Sequence, residues 1–220
     1  APLMPDDYGV IDDEYQQWLG NVIPADAELA DLDDESSGRR LQTDYSVDHV
    51  ALGHMTPVKN QGSCGSCWAF ASNSALEGTI AAREADPMPV RLSEQQLVYC
   101  TTNTSANQAL FGTTYGSGGC NGGWMRYSWN FQANEGAMTD ADYPYEYVNE
   151  RWNGSNTKAG RHDDTKAEVN VMGYGQITTT LDDMKAKLAE QPMAIAFDAG
   201  APGFRYYKSG VSDGSFVDDM

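Results

Sequence analysis

Residues 67–85, CWAFASNSALEGTIAAREA, constrain the fold more than any other stretch. They are strong helix formers with apolar side chains on several sides, so a helix here is buried centrally rather than laid on a surface. Pro87 and Pro89 end it. Such a helix needs other elements packed around it. The chain has 220 residues, enough for one large domain or two small lobes with a buried core. A content of 40 % hydrophobic and 10 % aromatic residues fits a chain that is globular over most of its length.

The neighbouring segments supply the wrapping. SEQQLVYC predicts a second helix whose start is a capping box, Ser93 with Gln96 three residues on. TTNTSANQALFGTTYGSGG (101–119) shows no apolar period and reads as a polar loop. CNGGWMRYSWNFQANEG (120–136) reads as a glycine turn, a helix through Phe131 and a stop at Gly136. The second half changes character. Residues 143–166 are rich in turn formers, and EVNVMGYGQI (168–177) predicts a strand with a glycine bend. Thr180 caps LDDMKAKLAEQ, with Leu181, Met184 and Leu188 on one face, and Pro192 ends that helix. MAIAF (193–197) predicts a buried strand and FRYYKSGV (204–211) another. Helices first and strands second make an α+β pattern in two lobes.

Residues 1–40 stand apart. They hold 11 acidic residues against two basic ones, Arg39 and Arg40, and read as a separate acidic segment with a protease-sensitive junction before a folded domain over 41–220. The net charge of −18 argues against nucleic acid or an anionic membrane as a partner. No apolar run reaches the length of a membrane span. Sequons at Asn103-Thr104-Ser105 and Asn153-Gly154-Ser155 are weak pointers to secretion.

The chemistry concentrates in KNQGSCGSCWAF (59–70). Its two cysteines, Cys64 and Cys67, allow three readings: half a zinc site, a redox pair, or a bridging cysteine beside a nucleophile. Zinc needs a second close pair of ligands, but Cys100 and Cys120 are separated by nineteen residues and the histidines lie at 49, 54 and 162. A thioredoxin-like pair follows a strand in a βαβ unit, and VKNQGS is a poor strand. A thiol at a helix N-terminus is the arrangement that favours the reactive thiolate, and Cys67 starts the 67–85 helix. Gln61 is then a neutral donor able to fold back over the turn toward a developing oxyanion, with the Cys67 N–H as a second donor.

QGSCGSCWAF resembles the active-site segment of papain-like cysteine peptidases, cathepsin L-like enzymes included. LSEQQLVYC, GCNGG, YPYE, PMAIAFDAG and FRYYKSGV follow in the family's order, so the resemblance covers about residues 43–220. It implies a two-lobed papain-like α+β fold: a helical left lobe with the central nucleophile helix, and a barrel-like right lobe that is incomplete at Met220. It implies Cys67 as nucleophile, Gln61 as oxyanion-hole donor and a Cys64–Cys120 disulfide. It places Gly65 beside the cleft, Gly122 and Gly123 along the substrate backbone, and Met125 and Ala196 in an apolar pocket for the second residue before the scissile bond. It implies no cofactor and no metal, and as partners protein or peptide substrates and proteinaceous inhibitors. A secreted, lysosomal or vacuole-like location goes with it.

The pattern also breaks. The family's nucleophile needs a histidine and an orienting asparagine, well downstream of the cysteine. None of His49, His54 and His162 matches that position, and GVSDGSFVDDM stops where relatives run on to the histidine. The expectation is therefore a cysteine endopeptidase, made as a proform with residues 1–40 resembling the end of a propeptide, whose catalytic His and Asn lie outside this sequence. The alternatives are an inactive peptide-binding homologue or one chain of a two-chain enzyme. Cys100 lacks its usual partner after YPYE, the loop 101–119 is longer than in papain, and Asp48-His49-Val50 replaces an Asp-Trp-Arg.

Overall fold

A computed structural model describes residues 47–83, 90–146, 161–175, 177 and 180–196. The chain divides into two units, Ala1–Asp44 and Tyr45–Met220, and every described residue belongs to the second. In chain order the elements are α1 (Cys67–Arg83), α2 (Glu94–Cys100), α3 (Ser105–Phe111), α4 (Met125–Glu135), β1 (Ala137–Met138), β2 (Ala167–Val169) and α5 (Leu181–Glu190).

The central helix forms as its composition predicts. α1 packs against both α2 and α4. Its buried positions run from Trp68 and Ala69 through Ser72, Asn73, Ala75, Glu77 and Gly78 to Ala81. The core beside it joins Cys64, Trp68 and Ala69 to Leu97, Val98 and Cys100 of α2 and Phe131 of α4. Leu97 and Phe131 are wholly buried, and each contributes about 1.5–3 kcal/mol by leaving water. Gly78 has a packing reason, because a Cβ there would meet the Pro192 ring at 2.5 Å.

α2 starts as expected but not by a full capping box. Ser93 Oγ accepts the Gln96 N–H at 3.0 Å. The Gln96 side chain does not reach back to Ser93. Its Oε1 accepts the Met138 N–H at 2.9 Å, while the Ser93 N–H is given to the Met138 carbonyl at 3.0 Å. Tertiary pairing with β1 wins because it satisfies buried donors on both segments. β1 pairs antiparallel with β2, with an irregularity between Ala137 and Met138.

Three expectations are corrected. Residues 101–119 are not a plain loop. Thr104 caps α3 by accepting the Asn107 N–H, and Gly112 closes it in the left-handed conformation with φ 71°. The strand read over 168–177 is limited to Ala167–Val169. Residues 193–196 form no strand, and Ile195 is 65 % exposed, so that short apolar run is not a buried strand here. The strand expected over 204–211 lies outside the described residues. α5 starts on Thr180 as read, with Leu181, Met184 and Leu188 on the surface.

Beneath α1 and α2 lies a buried ionic cluster. Lys59 Nζ is 2.6 Å from Glu77 Oε1 and 2.6 Å from Glu94 Oε1, with both carboxylates buried. Glu77 also accepts from Thr56 Oγ1 at 2.7 Å and from the Leu92 N–H at 2.7 Å. The cluster fastens the run leading to Gln61 onto both helices. Burial raises the Glu94 carboxyl above its ordinary range, and the nearby Lys59 ammonium only partly offsets that.

Candidate active site

The turn over residues 60–66 is built by short local bonds. Asn60 Oδ1 accepts the Gly62 N–H at 2.9 Å, and Gly62 has φ 62°, which favours glycine. The Cys64 carbonyl accepts from the Ser66 N–H at 2.8 Å and from Gln61 Nε2 at 2.8 Å. The Gln61 amide is thereby folded back over the turn, as its sequence position suggests. One N–H of that amide is spent on Cys64, and an amide nitrogen carries a second.

Cys67 is the first residue of α1, and it is exposed. Its backbone N–H stands outside the helical ladder because the first N–H groups of any helix have no partner four residues back. Cys64 is bridged to Cys120, with 4.7 Å between the Cα atoms. Bridged to a residue 56 positions away, Cys64 is not free to form the redox pair with Cys67 that the poor VKNQGS strand already disfavoured. Among the described residues no three His, Cys, Asp or Glu side chains are grouped to hold a metal ion.

The bridge is one of several ties between the turn and the glycine strip. The Gly65 N–H is given to the Cys120 carbonyl at 2.9 Å, and a Cβ on Gly65 would lie 2.6 Å from that same oxygen. Trp68 Nε1–H donates to the Gly119 carbonyl at 3.1 Å. A Cβ on Gly123 would lie 2.7 Å from the Trp68 ring, so only glycine lets strip and indole approach. Gly122 is needed for a different reason: nothing crowds it, but its φ is 106°. These contacts hold the strip of Gly119, Gly122 and Gly123 against Gly65 and Trp68, the neighbours of Cys67 in the chain. Met125, half-buried, opens α4 just after the strip. Ala196 is exposed, and no described contact joins it to these residues.

The histidines are engaged elsewhere. His49 Nδ1 is 3.0 Å from His54 Nδ1, and His49 Nε2 is 2.7 Å from the Leu188 carbonyl. His162 Nδ1 accepts from Gln96 Nε2 at 3.0 Å, since the oxygen of that amide is committed to Met138. Its ring meets Phe111 and Phe131 edge-on at 5.3 and 5.6 Å. Burial lowers the His162 pKa, against the opposing pull of Glu135, Asp164 and Asp163. It is a neutral packing residue joining α2, α3 and α4. Cys100 is a buried thiol whose pKa burial raises strongly, the opposite of an activated nucleophile.

Sequence reasoning missed two residues of this neighbourhood. Tyr145 bonds to the Gln61 carbonyl and to Ser66 Oγ. Lys59 anchors the run before Gln61 through the carboxylates of α1 and α2. Only the YPYE motif hinted at the first, and no local signal marked the second.

Residues 43–219 match the family described as papain family cysteine protease. Chymopapain of Carica papaya is 33 % identical over 206 residues, covering 92 % of this chain and 52 % of its own. A probable cysteine protease of Arabidopsis thaliana, RD21B, is 39 % identical over 207 residues, covering 92 % of this chain and 35 % of its own. Among solved structures, digestive procathepsin L2 from Tenebrio molitor larval midgut superposes with a TM-score of 0.58 at 32 % identity, covering 76 % of this chain and 47 % of its own. The cysteine protease CMS1MS2 of Carica candamarcensis, solved in complex with E-64, gives 0.54 at 30 % identity, covering 74 % and 67 %. The chain spans about half the length, or less, of these curated relatives.

Proposed function

Because the chain belongs to the papain family of cysteine proteases, with the α+β fold of that family, we propose that it carries the nucleophile and oxyanion hole of a cysteine endopeptidase. The observation that carries this reading is the exposed Cys67 at the start of α1, with the Gln61 amide folded over the same turn. In the proposed reaction the Cys67 thiolate sulfur forms a bond to the peptide carbonyl carbon. The carbonyl π electrons move to oxygen, held by the second Gln61 N–H and the Cys67 backbone N–H. The oxyanion collapses, the C–N bond breaks and the amine leaves with a proton from an imidazolium. Water then hydrolyses the thioester and restores the thiol. The imidazole is one other than His49, His54 and His162, whose bonds lie elsewhere.

Substrates are extended peptides laid along Gly122 and Gly123 as an added strand. Met125, and Ala196 once brought to the cleft, favour an apolar residue second before the scissile bond. Proteinaceous inhibitors are partners of the same groove. Among the described residues no helix is long and apolar enough to cross a membrane. The Cys64–Cys120 bridge favours an oxidising location, secreted or lysosome- or vacuole-like. The acidic residues 1–40 act as the end of a propeptide, removed near Arg39-Arg40. N-terminal sequencing of the protein from its source tests this, and a mature start upstream of Asp31 ends the idea. The engagement of all three histidines favours a second reading, a peptide-binding homologue without turnover.

Kinetics of Gln61→Ala in the enzyme from its source decide between them. Loss of one oxyanion donor is expected to lower kcat about 100-fold with KM little changed. An unchanged kcat would remove Gln61 from the oxyanion hole, and a parent protein that binds peptides without cleaving them would remove the peptidase reading.

A further inference from the structure

The second tyrosine of YPYE has no part in the chemistry above, yet it sits beneath it. The Tyr145 hydroxyl donates to the Gln61 carbonyl at 2.9 Å and lies 2.8 Å from Ser66 Oγ. A phenol has one proton. With that proton on Gln61, the hydroxyl accepts from Ser66. Tyr145 reaches these residues across 84 and 79 positions of sequence. Its own place is fixed from both ends. The ring meets Phe70 edge-on at 4.9 Å, and its backbone N–H is 3.3 Å from Asp140 Oδ1.

The two segments it joins bear the two oxyanion donors. Gln61 supplies the side-chain amide. Ser66 is peptide-bonded to Cys67, so its position sets the direction of the Cys67 N–H. Asn60, Gly62 and Ser63 are exposed, so packing alone does little to hold the Gln61 backbone. Two donors must converge on one oxygen to within a few tenths of an ångström to act.

We propose that Tyr145 is a positioning residue for the oxyanion hole, its one hydroxyl clamping the Gln61 backbone to Ser66 so that the Gln61 amide and the Cys67 N–H meet at the same point. This rests on the peptidase reading. Tyr145→Phe in the full enzyme from its source removes the hydroxyl and keeps the ring. The expected result is a fall in kcat for peptide hydrolysis of about tenfold with KM unchanged. Alkylation of Cys67 by iodoacetamide passes through no oxyanion, and its rate is expected to stay the same. In a Gln61→Ala background, where only the Cys67 N–H is left to aim, adding Tyr145→Phe is expected to slow the enzyme less than it does in the parent. Ser66→Ala, which removes the other half of the clamp, is expected to shift kcat in the same direction.

Full kcat in Tyr145→Phe with an active parent overturns the proposal and leaves the peptidase reading standing. So does an equal loss in hydrolysis and alkylation, which marks a merely structural role, or an effect additive with Gln61→Ala. A parent that hydrolyses no peptide removes both.

Discussion

Cys67→Ser is expected to abolish peptide hydrolysis, lowering kcat by more than about a thousandfold, while the melting temperature stays where it was. A hydroxyl at this position is far less ionised than a thiol, and no change of packing restores the nucleophile. The fold has little reason to respond. Cys67 is exposed, the bridge is between Cys64 and Cys120, and the ties at Gly65 and Trp68 do not use the Cys67 side chain. Steady-state kinetics and a thermal melt of the same preparation check both halves. Retained activity would remove Cys67 from the mechanism.

Lys59→Met is expected to be the most damaging single change to the fold described. It leaves Glu77 and Glu94 buried around the place of a lost cation. Breaking a buried ion pair from one side costs about 3–5 kcal/mol. For a domain of this size that is a fall in Tm of about 10 °C. Because Lys59 leads directly to Gln61, hydrolysis is expected to fall with stability.

The same cluster sets a pH dependence. The folded state raises the Glu94 pKa, so its protonated form is the one folding favours. That contribution to stability is present below the ordinary carboxylate range and is lost as pH rises through the folded value. Glu94→Gln keeps hydrogen-bonding capacity without a charge to desolvate. It is expected to raise Tm at pH 7 and to leave it nearly unchanged at pH 4. His162 acts in the opposite sense. Its pKa is lowered, so its contribution is present above the ordinary imidazole range and is lost as pH falls. Melts of both proteins across pH 4–8 check the sign, and a larger gain at pH 4 than at pH 7 would contradict it.

Much of the helical part was legible in the sequence because its signals are local. Ser93, Thr180 and Gly136 mark helix ends by their own chemistry, and they do so in the structure. α3 carried equally good signals in Thr104 and Gly112, but seven residues of mixed polarity show no period to draw attention. MAIAF misled because a short apolar run does not say whether it is buried. The Cys64–Cys120 pairing was available only through family resemblance, since four cysteines permit three pairings. Tyr145 and the Lys59 cluster were invisible for a different reason. Their meaning lies in contacts across 84 and 35 positions, and nothing local to a tyrosine or lysine encodes a distant partner. Gln96 shows the same limit from the other side, since its local capping role was legible and its actual partner, Met138, was not.

Cys67 as an activated nucleophile is tested by treating the protein from its source with an epoxide of the E-64 class and mapping the adduct by mass spectrometry without reduction. One adduct is expected, on Cys67, formed far faster than with the unfolded chain. An intact Cys64–Cys120 bridge is expected in the same digest. Labelling no faster than in the unfolded chain, or a bond between Cys64 and Cys67, would contradict that role for Cys67.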